Sequence, residues 1–267
     1  MCVIFYQTKN QDAFTYDDIK NAALSNPDGM GWMANLDGII KYKKGYFNVD
    51  EFYNDYIELR NNKKLVDIAL HFRIGTGSAI DIANCHPFPV TRNVKKIRRA
   101  KGRCDVAIMM NGIIGNSTKQ FSDTAIYTMN NLRNYYDNDS RWFLHMNKAQ
   151  KILFNNEIHG CRFVFMCKDG TKLFGTGWSD YEKKGQVSNR HWIPRKYVPY
   201  SYFDDNIYAY NGNNNRTKDR WDSWYYNYDY DYDDDGEWLA NKAKRFAKKK
   251  SDERYKSYID YLLEGKA

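Results

Sequence analysis

Several absences narrow the field before any motif is considered. No apolar run approaches the roughly 20 residues that a helix needs to cross a bilayer, so a soluble protein with no membrane partner is expected. The five cysteines, Cys2, Cys85, Cys104, Cys161 and Cys167, include no Cys-x-x-Cys pair, which argues against a zinc ribbon or a dithiol redox motif. His159-Gly160-Cys161 with Cys167 could suggest a ligand set, but Cys161 to Met166 reads better as a buried strand, so neither metal nor cofactor is expected. An odd cysteine count without a secretory leader points to a reducing compartment, read as cytoplasmic. Charge of a single sign is lacking too. The net charge is +8, yet both signs are plentiful among the 28% of residues that are charged, so an acidic or nucleic-acid partner is permitted but not demanded. Nor is there a synthetase or phosphate-binding motif.

What is present starts at the second residue, in Met1-Cys2-Val3-Ile4-Phe5-Tyr6. A small residue after the initiator favours removal of Met1, which would leave a chain beginning with a thiol and a free α-amine on one residue. A thiolate is a strong nucleophile, and an α-amine titrates near pH 8, close enough to neutrality to take up a proton and return it. The competing reading is a buried cysteine at the start of a first strand. Three runs downstream bear on the choice: His71-Phe72-Arg73-Ile74-Gly75-Thr76-Gly77, Asn84-Cys85-His86-Pro87-Phe88, and Val106-Ala107-Ile108-Met109-Met110-Asn111-Gly112-Ile113-Ile114-Gly115-Asn116.

In these runs the chain resembles the class II glutamine amidotransferases, the N-terminal-cysteine branch of the Ntn (N-terminal nucleophile) hydrolases. The matching motifs, in the family's order, are Cys2, Asp28-Gly29-Met30-Gly31, Arg73-Ile74-Gly75-Thr76-Gly77, His86-Pro87 and Asn111-Gly112. The likeness spans about residues 1 to 190 and is densest in the first 125. It implies a four-layer αββα sandwich and a glutaminase reaction at Cys2. Attack on a carboxamide creates an oxyanion that needs fixed donors. The resemblance assigns that task to the Asn111 side-chain amide and the Gly112 N–H. Asn-Gly is also the strongest short hairpin signal, and a tight turn at a strand end can serve both purposes.

Free glutamine carries a carboxylate and an ammonium, so its pocket needs a cation and an anion. A guanidinium grips a carboxylate through two parallel hydrogen bonds, and Arg73 occupies the family's arginine position, with Thr76 and His86 as further substrate-binding residues. Asp123, in Phe121-Ser122-Asp123-Thr124, falls where the family places its ammonium-binding aspartate. Ser122 or Asp123 could instead cap the helix expected over Thr124 to Tyr136. Three features depart from the family: Met110 where histidine is common, Ile74 where tryptophan is common, and a basic loop, Lys95 to Arg103, between His86 and Asn111. None removes the nucleophile or an oxyanion donor. They bear instead on how glutamine binding couples to a second active site.

The expected organisation is an α+β domain over residues 1–200, a flexible Asn/Asp/Tyr-rich segment over 201–235 and a basic amphipathic helix over 236–267. Within the first, strands are expected at Cys2 to Gln7, Val66 to Phe72 and Asp105 to Met110. Hairpins are expected around Asp37-Gly38 and Asp169-Gly170, and helices over Tyr16 to Ser25, Val49 to Arg60 and Asn147 to Phe154.

Two functions are therefore open. One is an amidohydrolase that releases ammonia from glutamine or a related terminal amide, with a separate synthetase or other protein as partner. The other is a catalytically idle scaffold that binds a protein, or less readily a nucleic acid, through its basic loop and aromatic tail. The combination of Cys2, Arg73, Asn111, Gly112 and Asp123 favours the first.

Overall fold

The computed structural model describes residues 1–194, so the segments expected over 201–235 and 236–267 lie outside the described residues. The first half of the chain forms β1 (Val3–Thr8), α1 (Tyr16–Ser25), β2 (Met30–Leu36), β3 (Ile39–Tyr46), α2 (Val49–Asn61) and β4 (Leu65–Phe72). There follow β5 (Phe88–Pro89), α3 (Val94–Arg98), β6 (Lys101–Cys104), β7 (Val106–Asn111), α4 (Asp123–Tyr127) and α5 (Arg133–Asn138). The last elements among the described residues are α6 (Trp142–His145), α7 (Lys148–Glu157), β8 (Arg162–Cys167), β9 (Gly170–Phe174), β10 (Ser179–Tyr181) and β11 (Gly185–Val187). The fold is mixed α and β, with two antiparallel sheets ordered β10-β11-β1-β4-β2-β3-β6 and β5-β7-β8-β9.

Alternation along the strands sorts the core into three parts. Val3 and Phe5 of β1, with Trp32, Ala34, Leu70 and Phe72, pack against Phe14, Ile19, Ala22, Phe52 and Tyr56 from α1, α2 and the loop before α1. The opposite faces of the same strands supply Ile4, Met33 and Ala69, which meet Ala107, Met109, Val164 and Met166 of the second sheet. The outer face of that sheet buries Ile108, Met110, Phe163 and Phe165 under Trp142, Phe143 and Phe154 from α6 and α7. Helix starts are fixed by side-chain caps: Thr15 with Asp18 and Asn147 with Gln150 form capping boxes, and Asn48 caps α2. No helix among the described residues is long and apolar enough to cross a membrane.

Three expectations need correction. The basic stretch Lys95 to Arg103 is not a loop. Asn93 caps the short helix α3, whose Ile97 is wholly buried, and Lys101–Cys104 then pairs with β3 as an edge strand. The helix expected over Thr124 to Tyr136 is interrupted by a π-helical turn at Thr128–Leu132, where the Thr128 hydroxyl donates back to the Thr124 carbonyl at 2.7 Å. The turn between β8 and β9 centres on Lys168 and Asp169, with Gly170 already paired to Cys167.

Gly31 joins fold and site. It lies in β2 so close to the chain at His86 that an added Cβ would fall 2.0 Å from the His86 carbonyl oxygen and 2.9 Å from Lys44 Cβ. Gly31→Ala should therefore cost about 1–3 kcal/mol of stability through forced displacement of backbone. A urea unfolding series should show a lower midpoint at unchanged slope.

Candidate active site

β1 delivers Cys2 to the site. Central in its sheet, β1 pairs with β4 from Val3↔Phe72 onward and with β11 on its other side. Cys2 Sγ thus meets the backbone just past β4: the Ile74 N–H donates to it at 3.4 Å, and Ile74 O lies 3.6 Å away. Its carbonyl accepts from Asn189 Nδ2 at 2.8 Å. Met1 is present and exposed, so the Cys2 nitrogen lies in a peptide bond. Burial raises the thiol pKa above its ordinary 9.0; the Ile74 N–H, the chain's terminal charge and Arg73 pull it down, and Asp123 pushes it up.

Of the seven residues singled out in the sequence, Cys2, Arg73, Thr76, His86, Gly112 and Asp123 line one cavity. Asn111 lies behind the wall, fully buried, with Nδ2 donating to Ser188 Oγ at 2.9 Å and Oδ1 unpartnered among the described residues. One Nδ2 hydrogen remains beyond the Ser188 bond. Gly112 follows at φ +147°, a conformation that favours glycine, and a Cβ there would strike Cys161 Sγ at 2.6 Å.

Arg73 is almost wholly buried. Its Nη2 donates to Ser78 Oγ at 2.8 Å, while Nη1 has no partner among the described residues. Asp28 braces the loop beyond it, since Gly75 N donates to Asp28 Oδ2 at 2.7 Å and the Asp28 N–H donates to Arg73 O at 2.9 Å. Across the cavity, Ser122 is the helix cap, its hydroxyl accepting from Ala125 N; Asp123 is therefore the first residue of α4 rather than the cap. Asp123 Oδ2 accepts from the Ile114 N–H at 2.8 Å, and Oδ1 from Thr124 N at 2.7 Å. Asn84 ties this loop to the segment carrying His86 by accepting from Ser122 N and donating to Gln120 O.

His86 stacks on His71 with centroids 3.9 Å apart, and His71 Nε2 lies 3.0 Å from the Met110 carbonyl, which requires the proton on that nitrogen. Both His86 nitrogens and His71 Nδ1 are buried without partners among the described residues. Burial holds the His71 pKa down to about 3, helped by the Arg73 charge and opposed by the Met110 carbonyl. His86 lies well below its ordinary value, first from burial and then from His71, Arg73 and Lys44. Five of the nine buried side-chain polar atoms that lack a partner among the described residues thus belong to this pocket and its wall. Such atoms are rare in folded proteins.

The cavity is tight. Its volume is about 20 Å³, close to what a single water requires. Its roof is the contact of the Gly75–Ser78 loop with the loop at Ser117, joined by Ala79 N donating to Lys119 O at 3.0 Å. No group of three or more His, Cys, Asp or Glu side chains among the described residues is arranged to hold a metal ion.

Sequence reasoning missed Ser188, Asn189, Ser78 and the bracing role of Asp28. Ser188 links the site to β1, accepting from Ile4 N at 2.8 Å as well as from Asn111. Nothing in Val187-Ser188-Asn189 announces this, whereas Asp28 and Ser78 were open to notice beside quoted motifs. Compared with known proteins, no family model matches this chain and no curated protein sequence matches it.

The two imidazoles make stability depend on pH. Their folded pKa values lie below the unfolded value of 6.5, so the unfolded chain binds more protons once the pH falls below 6.5. Stability is fully present above that value and should fall by up to about 1.4 kcal/mol per pH unit for each imidazole on the way down. Urea midpoints measured from pH 7 to pH 5 should drop, and His71→Gln should flatten the trend.

Proposed function

We propose that this protein is an amidohydrolase of the class II glutamine amidotransferase type, built on an αββα Ntn sandwich, with Cys2 as nucleophile once Met1 is removed. The observation that carries the reading is the convergence of Cys2, Arg73 and Asp123 on one cavity whose buried polar atoms lack partners among the described residues. The stacking of helices, sheet, sheet and helices supports the same reading.

In the reaction, the freed α-amine takes the thiol proton and the thiolate attacks the terminal carboxamide carbon. The oxyanion sits between the Asn111 amide and the Gly112 N–H. The proton then passes to the departing nitrogen, ammonia leaves, and the acyl group remains on sulfur as a thioester. Water adds to that thioester, and the carboxylic acid and the thiol are regenerated. Arg73 Nη1, which has no partner among the described residues, takes the α-carboxylate, Thr76 adds a hydroxyl at the rim, and Asp123 faces the ammonium. His86, held neutral, adds a polar wall without charge. An amino-acid substrate is larger than the closed cavity, so binding parts the loop at Gly75–Ser78 from the loop at Ser117. The ammonia is released or passed to a separate protein.

A diazoketone analogue of glutamine should add its mass to the N-terminal peptide of the Met1-processed protein, and Cys2→Ala should abolish both the adduct and ammonia release. Arg73→Lys should raise KM for glutamine about 10- to 100-fold with little change in kcat, the loss of one charge-assisted bond. Processed protein that neither binds the analogue nor releases ammonia would instead leave the idle-scaffold reading.

A further inference from the structure

The cations that this chemistry leaves unused gather at the other end of the sheets. β7 runs from the active site at Asn111 to Val106, roughly 17 Å along the strand, and at the Val106 end two cavities of about 630 and 130 Å³ adjoin. They share Arg103, Cys104, Asp105 and Tyr136 and so form one groove. Lys96 and Arg99 line one side of it, Arg103 on β6 lies in the middle, and Lys168 in the β8–β9 turn lines the other end.

These four cations carry no ion pair among the described residues. The carboxylates of the groove are already engaged, Asp105 by the Tyr136 hydroxyl at 2.7 Å and Asp169 by Arg141 at 3.4 Å. Cationic character thus survives the local pairing. The cations are also framed: α3 is anchored by buried Ile97, and β6 is paired to β3. Lys101 and Arg103 project from the exposed edge strand about 6.7 Å apart, a pattern that discourages another strand from pairing there. An extended polyanion reached by side chains fits this edge better than an added peptide strand.

We propose that this groove binds the phosphodiester backbone of single-stranded nucleic acid, without reading its sequence and independently of the Cys2 pocket. The concave shape suits a flexible single strand, and the recognition is that of spaced guanidinium and ammonium groups for successive phosphates.

The test uses the full chain and a short fluorescein-labelled oligouridylate, followed by anisotropy over a series of KCl concentrations. Binding should weaken steeply with salt and be matched by an oligonucleotide of unrelated sequence. The triple variant Lys96→Gln, Arg99→Gln, Arg103→Gln should bind roughly tenfold more weakly, and its log–log salt slope should be shallower by about 2, the loss of three phosphate contacts. Its urea midpoint and its labelling by the glutamine analogue should stay unchanged. Wild-type affinity and slope in the variant, which would place binding on the basic residues beyond 236, would overturn the proposal. So would displacement of the RNA by polyglutamate at equal charge concentration, which would assign the groove to an acidic protein.

Discussion

The site depends on where β1 lies. An interior strand of a seven-stranded sheet, paired along its whole length with β4, has no freedom to slide, and the residue before it must emerge where the Ile74 backbone waits for it. A slip of one residue would exchange Val3 and Phe5, which face the helices, with Ile4, which faces the second sheet. The hydrophobic pattern that folds β1 thus also aims Cys2. From the other flank, Ser188 secures the arrangement by accepting from both the Ile4 N–H and the Asn111 amide, so that β1 and the Asn111 side chain at the end of β7 are held by one hydroxyl.

Around that fixed point the molecule tolerates groups that a purely structural core would avoid. Leaving a buried donor or acceptor unpaired costs about 1–3 kcal/mol each, and atoms with no partner among the described residues gather here on Arg73, His71, His86 and Asn111. The expense is offset by three apolar layers and by capped helices elsewhere. Burial holds both imidazole pKa values down beside a cavity that Arg73 and Asp123 line.

Much of this was legible in the sequence because it is written in short-range patterns. The Asp37-Gly38 turn, the dense apolar run Asp105 to Met110 and the spacing of Phe52 and Tyr56 each point to one element. The pocket residues were legible through motif order, since no single motif places Arg73 opposite Asp123. What escaped depends on distant partners. Lys95 to Arg103 reads as a basic loop because its one anchor, Ile97, and its pairing with β3 are invisible locally. Ser122 and Asp123 are equally good caps by type, and only the geometry of α4 separates them. Ser188 approaches Asn111 from 77 positions away with no local signal.

The central claim is that a freed Cys2 thiol and the Asn111-Gly112 turn act on the same carbonyl. The most direct measurement is a crystal structure of the Met1-processed protein after reaction with the diazoketone analogue. The account predicts continuous density from Cys2 Sγ to the ligand, with its carbonyl oxygen within hydrogen-bonding distance of Asn111 Nδ2 and Gly112 N and its carboxylate on Arg73. An adduct on another cysteine, or a Cys2 adduct whose oxygen points away from that turn, would contradict it.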